Sequence, residues 1–297
     1  MFTLLTKHTA ILALIVVPVF AGNDKNYTYL ALGDSIAFGY DPNLVVPNMP
    51  LPSPKQFIGY PEVVAQVENL LQSKKEVNAA CPGQTSFSFF AGGPDNGCEG
   101  FRATIGLHTT YAGTQENFAI SQLTSNRHIN LVTLSIGGND LLLVELYCST
   151  TADFVGCVQS QLNVALPAFG QNLARILSGI RNQANYKGTL VIVKNYAPTA
   201  NPLFRQAVEQ LNQVMVGVGS QFGAKFAESF IAFQVASALF GGDPCKAGLL
   251  VSLGNGTCDV HPSKLGRDLL AATVEVAIHT GHDQQNSKSG ADEQTGN

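Results

Sequence analysis

Residues 129–140 read "INLVTLSIGGND". Ile129, Leu131, Val132, Leu134 and Ile136 give this segment a near-continuous apolar character, with little alternation. A strand of that kind is covered on both faces, as in a parallel sheet with helices on either side. The apolar run stops at Gly137-Gly138-Asn139-Asp140, where the chain must leave the end of the strand. In open α/β sheets the carboxyl ends of strands are where ligands bind. The question of fold and the question of function therefore meet in these twelve residues.

On both sides the pattern alternates between strand-sized and helix-sized pieces. "YTYLALG" (27–33), "EVNAA" (76–80), "GTLVIVKNY" (188–196) and "AKFAES" (224–229) read as further strands. "YPEVVAQVENLLQ" (60–72) carries Val63, Val64, Val67, Leu70 and Leu71 on one helical stripe, with Pro61 suited to its first turn. A long helical pattern covers 158–182, which Pro167 is expected to kink or split. Two more helices are predicted over 203–219 and 263–280, and the proline-rich stretch 41–54 reads as a surface loop. Residues 85–113 show no period, and an irregular piece of that length inside a domain is usually functional. The order predicts an α/β fold, a three-layer sandwich with a central parallel sheet flanked by helices. With no internal repeat and no linker, residues 22–281 read as a single domain.

Composition narrows the setting. The chain has 297 residues, 45% of them hydrophobic and 13% charged, which is ample for a large core. A net charge of −4 without a long basic run argues against a nucleic-acid partner. Residues 1–21 predict a signal peptide: Lys7 and His8 precede an apolar run over 9–20 that is short for a bilayer span, and cleavage is expected after Ala21. No stable membrane span is expected after that cleavage, and the mature protein is read as secreted and extracellular, as a monomer. Six cysteines fit an oxidising compartment, and sequence neighbours suggest Cys81–Cys98, Cys148–Cys157 and Cys245–Cys258. Neither a Cys-x-x-Cys nor a paired-histidine spacing is present, so no metal site is predicted. Asn26 and Asn255 begin glycosylation sequons. The polar tail 282–297 has no apolar period and is expected to be disordered.

Three predicted strand ends carry short motifs: Gly33-Asp34-Ser35, Gly83 after "NAACP", and "GGND" over 137–140. A fourth piece, "CDVHPS" (258–263), lies just before the last helix. In this order and spacing the set resembles the SGNH hydrolases, also called the GDSL esterases and lipases. The resemblance covers most of the mature chain and implies a flavodoxin-like topology. It implies that Ser35 is the nucleophile and His261 the general base. It assigns the oxyanion hole to the Ser35 and Gly83 N–H groups and the Asn139 side chain. The residue chemistry agrees. A serine hydroxyl becomes a nucleophile when an imidazole takes its proton. A glycine offers its N–H without a side chain in the way, and an amide donates without a proton to lose. No cofactor is implied; the partners are an ester substrate and water.

The sequence departs from the family at the acid, where Asp-x-x-His is usual. Here Asp259 stands two residues before His261, and Cys258 takes the usual acid position. Asp259 serving through a different turn, a backbone carbonyl near Cys258, and an acid from elsewhere in the chain all stay open. For the substrate, the segment 85–118, which holds Phe87, Phe89, Phe90, Phe101 and Tyr111, is expected to form part of an acyl pocket or a lid. The competing function is a non-catalytic secreted carbohydrate- or surface-binding protein on the same fold. Ser35, Asn139 and His261 together argue against it, because a binding module needs no such set.

Overall fold

The computed structural model describes residues 27–71, 75–92 and 97–280. The signal peptide predicted over 1–21, the sequon residue Asn26 and the tail over 282–297 lie outside the described residues. Five strands form one all-parallel sheet: β1 (Thr28–Gly33), β2 (Glu76–Asn78), β3 (Ile129–Ser135), β4 (Thr189–Val193) and β5 (Lys225–Ala227). Their order is β2-β1-β3-β4-β5, with Leu30 beside Val132 and Leu32 beside Leu134. That is the flavodoxin-like order, in which the chain reverses its direction of growth between β1 and β3. Tyr29, Leu30, Ala31 and Leu32 are fully buried, as are Val132, Thr133 and Leu134, which is the two-faced burial that the apolar run in β3 requires.

Among the described residues there are ten α-helices: α1 (Ser35–Phe38), α2 (Tyr60–Val67), α3 (Ser88–Ala91), α4 (Cys98–Thr104), α5 (Gln115–Ser125), α6 (Gly138–Cys148), α7 (Phe154–Ser178), α8 (Pro202–Gly219), α9 (Ser229–Ser237) and α10 (Lys264–His279). α10 packs on α2, α9, β4 and β5, while α7 packs on α6 and α8, so helices flank the sheet in layers. The irregular segment over 85–113 contains α3 and α4. α7 is not split at Pro167; it continues for 25 residues and runs into a π-helical turn at Gly179–Gln183. An interior proline costs about 3 kcal/mol. Val158 and Leu162 before it, and Phe169, Leu173, Ile176 and Leu177 after it, are buried along the helix. At about 1.5–3 kcal/mol for each buried apolar side chain, that stripe outweighs the proline.

A second, antiparallel pair, β6 (Leu250–Ser252) and β7 (Cys258–Pro262), lies outside the main sheet. Its connecting turn holds Asn255, which is exposed and accepts from the Thr257 N–H. The cysteines pair as Cys81–Cys98, Cys148–Cys157 and Cys245–Cys258. Among the described residues no helix is long and apolar enough to cross a membrane.

Candidate active site

β1 ends in a turn that only glycine can make. Gly33 has φ +135°, and a Cβ there would stand 2.0 Å from the Ser135 carbonyl oxygen of β3. The buried Gln115 amide closes both sides of that residue, accepting from the Gly33 N–H at 2.6 Å and donating to its carbonyl at 2.9 Å. Asp34 then caps α1 by accepting from the Ile36 N–H at 3.0 Å. Burial pushes its carboxyl up to about 7, and the nearby Asp140 adds to the rise, against the opposing bonds from Ile36 and Ser135. Ser35 is the first residue of α1, so its N–H has no acceptor within the helix. Ser35 thus stands at the positive end of a short helix on the end of a buried strand.

Gly83 and Asn139 flank it. Gly83 has φ +81°, and a Cβ there would lie 2.6 Å from the Gly97 nitrogen, so the close pass beside the Cys81–Cys98 link admits only glycine. Asn139 is the second residue of α6, and its amide donates to the Gln84 carbonyl at 3.0 Å, which fixes the amide beside the Gly83 loop. Asp140 fastens the same loop by accepting from the Ser86 N–H at 2.9 Å and from the Ser86 hydroxyl. Both groups line one cavity with Ser35 and His261.

The structure places Asp259 against His261. Asp259 stands out of step with the Asp-x-x-His spacing, but β7 is an extended strand, and residues two apart on a strand point to the same face. The Asp259 carboxylate meets His261 Nδ1 and also accepts from the His261 N–H at 3.0 Å. Burial alone would raise the Asp259 carboxyl, but the bonds and charge interaction with His261 outweigh it and hold it below the ordinary aspartate value. On the other side, His261 Nε2 lies 2.8 Å from Ser35 Oγ. Tyr196, beyond β4, donates its hydroxyl to the Val260 carbonyl at 2.6 Å, between the acid and the imidazole. The Tyr40 ring stands edge-on to the imidazole at 4.8 Å.

The aromatic pocket expected within 85–118 needs correction. Phe87, Phe89, Phe90 and Tyr111 do not line the cavity at Ser35. Phe89 is buried, Phe87 is exposed, the Arg175 guanidinium covers the Phe90 ring, and the Tyr111 hydroxyl donates to the Ala79 carbonyl. The Cys81–Cys98 crosslink and the short helices α3 and α4 shape this segment, and only Phe101 of the five lines the cavity. The apolar walls come instead from α6, α7 and α8. The run "LLLVELY" right after "GGND" was the available signal, since an apolar helix beside a polar motif has to face something. Gln115 and Tyr196 belong to no motif and gave none. His108 bonds the Phe38 carbonyl at 3.0 Å behind α1, and His128 is exposed.

Comparison with known proteins gives this geometry its context. No curated protein matches the sequence. Among solved structures, the chain is similar to phospholipase A1 from Streptomyces albidoflavus, at 19% identity and a TM-score of 0.55 over 85% of this chain and 99% of that one. It is similar to an acetylxylan esterase from Geobacillus stearothermophilus, at 16% identity and a TM-score of 0.52 over 86% and 95%. A lipase from a goat rumen metagenome gives 16% identity and a TM-score of 0.51 over 84% and 97%. At such identities the likeness is one of fold. The sequence itself goes further: residues 31–269 match the GDSL-like lipase/acylhydrolase family. That span runs from β1 into α10 and takes in every residue gathered around Ser35, so the chain belongs to the GDSL-like lipase/acylhydrolase family of ester hydrolases.

Proposed function

We propose that the protein is a secreted serine hydrolase that cleaves carboxylic esters through an acyl-enzyme. The observation that carries this reading is the His261 imidazole set between Ser35 Oγ and the Asp259 carboxylate. Ser35 donates its hydroxyl proton to His261 Nε2 as Oγ attacks the ester carbonyl. Asp259 holds the Nδ1 hydrogen, orients the ring and stabilises the imidazolium. The negative oxygen of the tetrahedral intermediate is met by the N–H groups of Ser35 and Gly83 and by the Asn139 amide, each donor being worth about 10²–10³ in kcat. His261 returns the proton to the leaving alcohol. Water then repeats the sequence on the acyl-serine, with His261 again as base. Secretion is supported by the signal-like residues 1–21 and by three disulfides.

The test is hydrolysis of p-nitrophenyl butyrate by the wild type, Ser35→Ala and His261→Ala. The expected result is a loss of about 10⁴-fold or more in kcat for each variant, as for members of a triad that act as a unit. Wild-type rates in Ser35→Ala would refute the reading.

A further inference from the structure

The cavity beside Ser35 holds about 320 Å³ and extends from the strand ends into the space between α6, α7 and α8. Its walls there are Leu141, Leu142 and Val144 of α6, Val158 and Leu162 of α7, and Ala207 of α8. Among the described residues that line it, the polar groups gather at the Ser35 end, except Glu145, the last lining residue along α6. A sugar placed between these helices would bury hydroxyls with nothing to bond, which is unfavourable, whereas an alkyl chain has no polar group to satisfy. Ser35 and Asn139 line one end of the cavity and set the ester carbonyl there, so the acyl part of the substrate is the part that enters the apolar space.

We infer that the space between α6, α7 and α8 is an acyl-chain site that selects straight aliphatic esters of medium length over acetyl esters. This rests on the reading of Ser35 as the nucleophile. Two independent measures set the length. From Asn139 to Glu145 the α6 wall rises about 9 Å, at 1.5 Å per residue. An extended chain advances about 1.2 Å per bond, so about seven or eight bonds fit. By volume, a cavity of about 150 Å³ accepts a six-carbon ring, so this one accepts about a dozen heavy atoms, the ester group included. Both point to an acyl group of about eight carbons. A longer chain must pass the Glu145 carboxylate, which sets the upper bound.

The test is kcat/KM for the full-length mature protein on p-nitrophenyl acetate, butyrate, octanoate and palmitate, beside acetylated xylan and methyl ferulate. The expected result is a rise of up to about fourfold per methylene as far as octanoate, and a fall by palmitate. Ala207→Phe, which fills the cavity, should lower the octanoate-to-acetate ratio about 100-fold. Glu145→Leu should move the optimum to longer chains by two carbons or more. Equal turnover of acetate and octanoate by the wild type, or a preference for acetylated xylan or methyl ferulate, overturns the acyl-chain site. This wild-type series decides the matter even where Ala207→Phe does not fold. Ser35→Ala separates the two readings. If it abolishes hydrolysis while chain length has no effect, the serine reading stands and the acyl-chain site falls. If it hydrolyses every ester as the wild type does, both fall.

Discussion

Ser35, Gly83 and Asn139 follow strands of the five-stranded sheet, whereas Asp259 and His261 ride on a two-stranded hairpin outside it. The first group is fixed by what surrounds it. Gly33 and Gly83 stand against backbone that leaves no room for a side chain, and Gln115 and Asp140 bond the loops at fixed lengths. The hairpin is fixed by a few discrete ties: the Cys245–Cys258 disulfide, the Tyr196 bond to the Val260 carbonyl, and the bond from the Ser263 N–H to the Leu249 carbonyl. The contrast has a physical reading. In the proposed mechanism the nucleophile and its oxyanion donors need rigid placement, because a donor that is misplaced by about 1 Å loses most of its value. A base held on a small hairpin depends on crosslinks, because two short strands are marginally stable by themselves.

This contrast can be broken by changing either group. The largest effect is expected from Asp259→Asn, which keeps the shape of the hairpin and removes the charge: kcat should fall by about 10⁴-fold. A fall below about tenfold in steady-state kinetics would mean that a backbone carbonyl orients His261 and that the carboxylate is dispensable. Asn139→Ala removes one donor from the sheet-borne group and should lower kcat by about 10²–10³ with little change in KM. An effect confined to KM would place Asn139 in ground-state binding instead.

The ties of the hairpin should give smaller effects. Cys245 and Cys258 are separated by 13 residues. Closing a loop of that size is worth about 3 kcal/mol by the entropy estimate. The double substitution Cys245→Ser with Cys258→Ser should therefore lower Tm by about 5–10 °C in calorimetry. It should also lower kcat about tenfold at temperatures where circular dichroism still shows the wild-type fold. Unchanged kcat would show that the remaining ties, the Tyr196 and Ser263 bonds among them, are enough to hold His261.

The smallest effect tests the sheet group through pH. Glu76 at the start of β2 has its carboxyl raised, first by burial and then by the neighbouring Glu62 charge. A raised folded pKa gives stability that is present below the ordinary carboxylate value and is lost as pH rises through the folded value. Glu76→Gln should therefore gain Tm relative to the wild type as pH increases from about 4 to 8. A gap between the two proteins that stays constant over that range would contradict the assignment.

Much of this arrangement could be read from single residues. Near-continuous apolar runs indicated parallel strands, because a strand covered on both faces needs no polar alternation. Gly83 and Asn139 stand in short motifs at strand ends, and the family resemblance singled them out; both line the cavity beside Ser35. The walls of the cavity could not be read in that way. Leu141, Val158 and Ala207 lie on three separate helices, and each looks like an ordinary core residue until the helices pack. The aromatic residues of 85–113 misled for the same reason: composition indicates that a ring will be buried, but not against what.

The relation of Asp259 to His261 marks the boundary between the two kinds of information. The sequence established that an aspartate stands two residues before a histidine near the last helix, and that a serine and a helix-borne asparagine follow distant strands. It left open which face each side chain takes, since a two-residue offset aligns two side chains on a strand and parts them on a helix. Folding settled that point by pairing β7 with β6, which extends the backbone through Asp259, Val260 and His261 and brings the Asp259 carboxylate to His261 Nδ1 and His261 Nε2 to Ser35.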